Sequence, residues 1–138
     1  TNASREEAVA AVAGYGLALD LTLRDIQKSL KEKGLPWEKA KAFDGSCPIS
    51  PFIKPDDLPN PQDTRLKLEV NGEVRQDEST KLMINGILDL ITYMSGFFTL
   101  LPGDVVLTGT PAGVAGLKSG DRLALELDGR FGFCASVV

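Results

Sequence analysis

Apolar positions along the chain recur with two periods. Ala8, Val9, Val12 and Ala13 follow the repeat of about 3.6 residues that marks an amphipathic helix. Ser4, with Glu7 three residues on, reads as a capping box at its start. Gly14 is expected to end this helix, and "YGLALDL" then reads as a buried strand. A second helix is expected behind it, capped by Thr22, with Asp25 in its first turn and Leu23, Ile26 and Leu30 as its core stripe. Gly34 and Pro36 stop it.

The middle of the chain, from Leu35 to Pro61, is punctuated by prolines and holds one short extended piece, "PISPFI". Alternation returns in "RLKLEV", a strand with one wet face, and Asn71-Gly72 predicts a tight two-residue hairpin turn into "EVRQDE". Ser79 or Thr80 is expected to cap a helix whose Met83, Ile87, Leu90, Ile91 and Met94 share a face. The remainder reads as short strands, "DVV" among them, cut by glycine turns. A Gly-Asp pair precedes a strand at Gly103-Asp104 and again at Gly120-Asp121. The sum is a mixed α/β chain, β-rich towards its C-terminal end, with a sheet covered on one face.

Composition fits one globular domain over residues 1–138, since 43% hydrophobic residues suffice for a core. The net charge of −4 and the lack of a basic tract interleaved with aromatics argue against a nucleic-acid partner, and none is expected. Asp89 breaks the longest apolar stretch, so no membrane span is expected. Cys47 and Cys134 stand far apart and suggest neither a disulfide framework nor a zinc site; two bland thiols fit a reducing, cytoplasmic compartment. The chain has no histidine, which removes imidazole chemistry and leaves either cysteine without a hydrolase partner.

Three places hold candidate chemistry. Asp20 ends an apolar run, where a carboxylate costs free energy unless it is compensated. It reads either as a surface turn residue or as a metal ligand at a strand end. At about 100° per residue, Asp20, Arg24 and Gln27 fall on one stripe, a set that suits a small polycarboxylate beside a metal. An ordinary solvated helix face has the same spacing. Lys41, on an expected loop, is either solvated or a cation set against a bound oxyanion. "LTGTP", Leu107 to Pro111, is either a tight turn or a place where backbone and hydroxyls meet a ligand.

Taken in order, "GYGLALDLTLRDIQ", "KGLPWEKAKAFDGSCPIS", "VNGEVRQ" and "GDVVLTGTPAGV" resemble the fumarylacetoacetate hydrolase family, and most of all its small members. These are acylpyruvate hydrolases, oxaloacetate decarboxylases and the isomerases of 2-hydroxyhepta-2,4-diene-1,7-dioate. The resemblance implies a β-roll fold, a homodimer and a divalent metal, Mg²⁺ or Mn²⁺. It implies that Asp20 is a metal ligand, that Arg24, Gln27 and Thr110 bind substrate, and that Lys41 is catalytic. Family members carry a preceding portion with a Glu-x-Glu pair and a His-x-x-Glu pair. The chain is therefore expected to be the C-terminal part of such an enzyme.

The implied activity is metal-dependent cleavage of a C–C bond in a small-molecule 2-oxo acid through an enolate. Isomerisation and decarboxylation are the alternatives, because they share that enolate. The non-enzymatic alternative is a β-rich binding or oligomerisation module. In the complete enzyme a dication and nearby cationic groups are expected to offset the desolvation of Asp20.

Overall fold

Asn71 and Gly72 both take positive φ, 54° and 83°, and make the expected hairpin between β1 (Arg65–Val70) and β2 (Glu73–Ser79). A second hairpin turns at Asp128 and Gly129, with φ 57° and 65°, between β3 (Arg122–Leu127) and β4 (Phe131–Ser136). The strands pair antiparallel in the order β2-β1-β3-β4. The computed structural model describes residues 1–138. They fall into two compact units, Thr1–Leu17 with Pro51–Val138, and Ala18–Ser50.

In the larger unit, register puts the apolar residues of the central strands opposite one another: Leu66 with Leu127, Leu68 with Leu125, and Val70 with Leu123. Paired residues share a face, and on that face Val70, Leu123, Leu125 and Leu127 are buried. Lys67, Glu69, Asp77 and Glu126 take the other face, where Arg65 grips Asp77 with two bonds of 2.5 and 2.7 Å. The single covered face expected from the alternation is therefore present. The first hairpin is not regular. Leu68 pairs with Gln76 but Glu69 pairs with Val74, so Arg75 is the extra residue of a β-bulge.

The helices differ from expectation mainly at their ends. The capping box is formed: the Ser4 hydroxyl accepts from the Glu7 amide, and the Glu7 carboxylate accepts from the Ser4 amide, at the start of α1 (Arg5–Ala11). This helix stops before Val12, which is extended, so Gly14 does not end it. Gly14 instead allows a close approach, because a Cβ there would lie 2.7 Å from the Ile53 carbonyl oxygen. "YGLALDL" is not a regular strand. It makes isolated bridges, Tyr15 with Ile53 and Ala18 with Ile49, since the prolines of its partner segment cannot donate to a ladder.

The helix expected from Met83 begins later, as α4 (Ile87–Ser95). Ser79 caps only a single 3-10 turn, and the first amide of α4 is satisfied by the Gln62 side chain. "DVV" carries no strand, and residues 102–120 are irregular. Cys134 is exposed. No helix is long and apolar enough to cross a membrane.

The two hairpins are tied together through Asn71 and Asp121. Asn71 exchanges backbone and side-chain bonds with Arg122 and donates its amide to Asp121 at 2.9 Å. The Lys118 amide also donates to Asp121, at 2.8 Å. The Lys118 amide first, and then Asn71, hold the Asp121 carboxyl below its ordinary range. A lowered folded-state pKa gives stability that is present above the unfolded value of about 3.9 and is lost as pH falls through the folded value. Asp121→Asn is therefore expected to lower the urea midpoint at pH 7, with the gap to the wild type closing below about pH 4. A gap that stays constant into acid would remove the carboxylate as its cause.

Candidate active site

The smaller unit is organised around one extended segment. The amides of Leu19, Leu21 and Leu23 donate to the carbonyls of Pro48, Ser46 and Ala40 at 2.9 to 3.0 Å, so this stretch lies antiparallel along the chain that returns to it. Successive side chains of an extended segment alternate, which puts Asp20 and Thr22 on the same side. The next turn starts α2 (Arg24–Glu32), which ends at Gly34, φ 64°, with the Leu35 amide closing back on the Leu30 carbonyl. Lys41 is not on a loop. It is the last residue of the one-turn helix α3 (Glu38–Lys41), whose Ala40 is fully buried.

From there the Lys41 ammonium donates to Asp20 Oδ2 at 2.6 Å and to Thr22 Oγ1 at 2.9 Å. The Lys41 and Asp20 side chains are 33% and 46% exposed. Asp20 is thus not held in apolar surroundings, as the sequence suggested. In this chain its charge is partnered by the Lys41 ammonium. Thr22 is not the cap of α2 either: the capping position is Leu23, with no side-chain bond. The Thr22 hydroxyl is engaged with Lys41 and with the Asp20 carbonyl, to which it donates at 3.2 Å. An ammonium has three donors. Two are spent on Asp20 and Thr22, and the third remains for a ligand.

On α2 the expected core stripe is only half covered, with Leu23 and Ile26 exposed, while the buried residue is Gln27. Arg24 Nη1 donates to Gln27 Oε1 at 3.2 Å, one helical turn away. That bond leaves the Gln27 amide hydrogens as the group able to meet a ligand oxygen. A shallow, largely open depression lies beside Lys41, lined by Pro36, Trp37 and Glu38. The Lys31 ammonium sits 4.3 Å above the Trp37 ring centre and holds that wall.

The structure therefore gathers Asp20, Arg24, Gln27 and Lys41 into one unit. Thr110 belongs to the other, on the irregular stretch before β3, where the buried Gln76 side chain donates to it at 3.0 Å. Sequence reasoning missed Thr22 and Gln76. The signal for Thr22 was its place two residues after Asp20 on an extended segment. The signal for Gln76 was an amide at an inward position of a strand.

As a divalent-cation centre the chain's own residues fall short. Asp20 offers one carboxylate, and no three acidic, histidine or cysteine side chains cluster anywhere in the chain. Hard cations of this kind take about six oxygens. Asp20 suits one position in such a shell and cannot form the shell alone.

Residues 1–138 match the family described as fumarylacetoacetate (FAA) hydrolase C-terminal. Over 128 residues the chain is 59% identical to the oxaloacetate tautomerase YcgM of Escherichia coli, covering 92% of this chain and 58% of that protein. It is 49% identical over 118 residues to a mitochondrial oxaloacetate tautomerase of Mus musculus, covering 86% of this chain and 53% of the other. A crystal structure of a fumarylacetoacetate hydrolase family protein from Yersinia pestis superimposes with a TM-score of 0.96 at 51% identity, over all of this chain and 65% of that one. Fumarylpyruvate hydrolase from Pseudomonas aeruginosa, solved with Mn²⁺ and pyruvate, superimposes with a TM-score of 0.93 at 39% identity, over 99% of this chain and 59% of that one. The chain thus spans little more than half the length of the curated relatives it matches. Its fold over that span is the one these solved proteins share. By its sequence from end to end, and by the path of its backbone, the chain belongs to the fumarylacetoacetate hydrolase family.

Proposed function

We propose that this chain works in an enzyme that moves a 2-oxo acid, oxaloacetate first, between its keto and enol forms. The observation that carries this reading is the Lys41 ammonium, held 2.6 Å from Asp20 and 2.9 Å from Thr22 with one N–H left over. The 59% identity with a bacterial oxaloacetate tautomerase supports the choice of substrate. In the enolising direction a proton leaves C3 and one arrives at the C2 oxygen, and negative charge passes through that oxygen on the way. Lys41 donates to it as the charge develops, and Asp20 and Thr22 fix the direction from which the ammonium does so. Arg24 meets a substrate carboxylate, and the Gln27 amide hydrogens meet an oxygen next to it.

A divalent cation, once bound, would add Lewis-acid polarisation of the oxo group. Asp20 would be its one ligand from this chain, with the others coming from outside these residues. Mn²⁺ in the fumarylpyruvate hydrolase supports a divalent ion, and Mg²⁺ is the alternative we keep. Hydrolysis of an acylpyruvate C–C bond is the second reading, favoured by that same relative. It needs an activated water in addition to the enolate chemistry.

In the full gene product, Lys41→Met is expected to lower kcat for enol-oxaloacetate ketonisation by about 10²- to 10⁴-fold, followed by loss of enol absorbance. Wild-type turnover in this variant would end the reading. Asp20→Asn should weaken Mn²⁺ binding by about 100-fold or more in calorimetry, and an unchanged affinity would remove the ligand assignment. Thr22→Val should cost about tenfold in kcat with little change in melting temperature, because no helix cap is lost, and Thr22→Ser should restore the rate. Equal loss in the serine variant would show that the hydroxyl is not what counts.

A further inference from the structure

Val105 to Gly109 has the composition and the exposure of a strand, yet it stands outside the β2-β1-β3-β4 sheet. Three of its first four residues, Val105, Val106 and Thr108, are β-branched, the type that favours a pleated backbone. Exposure alternates along it. Val105 and Leu107 are 45% and 47% exposed, while Val106 and Thr108 are half-buried. A period of two is what an extended segment lying on a surface produces. None of its amides or carbonyls is bonded to another backbone group. A loop served by water alone is built from glycine, proline and short polar residues. This one turns a valine and a leucine outward.

Both ends of the segment are fixed. Ahead of it, Gly103 takes φ 97° in a turn that is closed twice. The Asp104 amide donates to the Leu101 carbonyl at 3.0 Å, and the Leu101 amide donates to Asp104 Oδ2 at 2.7 Å. Behind it, the buried Gln76 amide donates to Thr110 Oγ1 and to the Pro111 carbonyl oxygen, each at 3.0 Å. Gly113, at φ 98°, packs so closely on the bulge at Arg75 that a Cβ would fall on the Arg75 carbonyl oxygen. The residues between these anchors are held out as a template. Their direction is set, their hydrogen-bonding groups are unspent, and little entropy is left to lose on pairing.

We propose that Val105–Gly109 is one half of a strand pair, and that the other half is a strand of the same polypeptide lying outside residues 1–138. An unpaired apolar strand invites any extended chain, and two observations choose the occupant. The curated relatives run well beyond the matched span, which is 58% and 53% of their lengths. The crystal structure from Yersinia pestis follows this backbone over its whole length, Val105–Gly109 included, and the match covers only 65% of that chain. A tethered strand also pairs without the entropy cost of bringing in a second molecule. The template states the chemistry of its partner. It is about four residues or more, without proline at a pairing position, and apolar at every second residue so as to cover Val105 and Leu107. All of these residues lie in the larger unit. Nothing in the pairing depends on which substrate the enzyme takes, so either reading can fail and leave the other standing.

The test is NMR on the unmutated full gene product, so that no variant has to fold. At least every second amide from Val105 to Gly109 is expected to exchange with solvent about 100-fold more slowly than in an unstructured peptide. Cross-strand amide–amide NOEs from these residues should reach residues outside 1–138. Diluting isotope-labelled protein into unlabelled protein should leave those NOEs at full strength, because both strands belong to one chain. Exchange at the peptide rate throughout the stretch overturns the proposal. So do NOEs that lead only to residues within 1–138. NOEs that fade on isotope dilution overturn it as well, since they put a second copy of the protein on this edge.

Discussion

The contact between Lys41 and Asp20 joins the two short elements that face each other in the smaller unit. Neither residue is placed by its own local structure. Asp20 sits on an extended segment held by three backbone bonds, and Lys41 ends a helix of one turn. Both elements are too short to be stable alone. What fixes them is that the Leu23 amide closes on Ala40, the buried residue next to Lys41, which brings the ammonium to the face shared by Asp20 and Thr22. The ion pair is half open to water, so its contribution to stability is small. Its consequence is directional: it aims a cation.

The same unit shows a stability device put to another use. A threonine ahead of a helix ordinarily caps it, and loss of such a cap costs about 1 kcal/mol. Thr22 is turned to Lys41 instead, and α2 begins without a side-chain cap. On α2 the buried position goes to Gln27, bonded to Arg24, while Leu23 and Ile26 remain exposed. Polar groups hold the protected places and apolar ones the open places, the reverse of what stability alone would select. Such local conflicts are expected where a sequence serves a site.

In the larger unit the constraint is register. Pairing Leu66, Leu68 and Val70 with Leu127, Leu125 and Leu123 commits one face of the sheet to the core, and a slip of β1 by one residue would turn its three apolar side chains to the opposite face. The bulge at Arg75 is the one irregularity in that hairpin. It lets Gln76 face inward opposite Leu68 and leaves the carbonyl against which Gly113 packs. The Thr110 segment, which has no secondary structure of its own, is held by this feature of its neighbour.

The sequence by itself determined the features that depend on near neighbours. The Ser4–Glu7 capping box, the Asn71-Gly72 turn with both strands beside it, and the Gly34 stop are each decided within a few residues by dihedral preference and local hydrogen bonding. The candidate site residues were chosen through the order of motifs along the chain, and the structure places Asp20, Arg24, Gln27 and Lys41 in one unit and Thr110 in the other. Asp20, Arg24 and Gln27 looked like one helical stripe, whereas Asp20 pairs with a lysine 21 positions away. Tertiary structure decided the rest. It broke "YGLALDL" into isolated bridges because its partner contains prolines, delayed α4 to Ile87, left "DVV" irregular, drew Thr22 away from its helix and brought Gln76 to the Thr110 hydroxyl. In most of these cases the deciding partner lies far along the chain, and no local preference of the residues involved carries information about it.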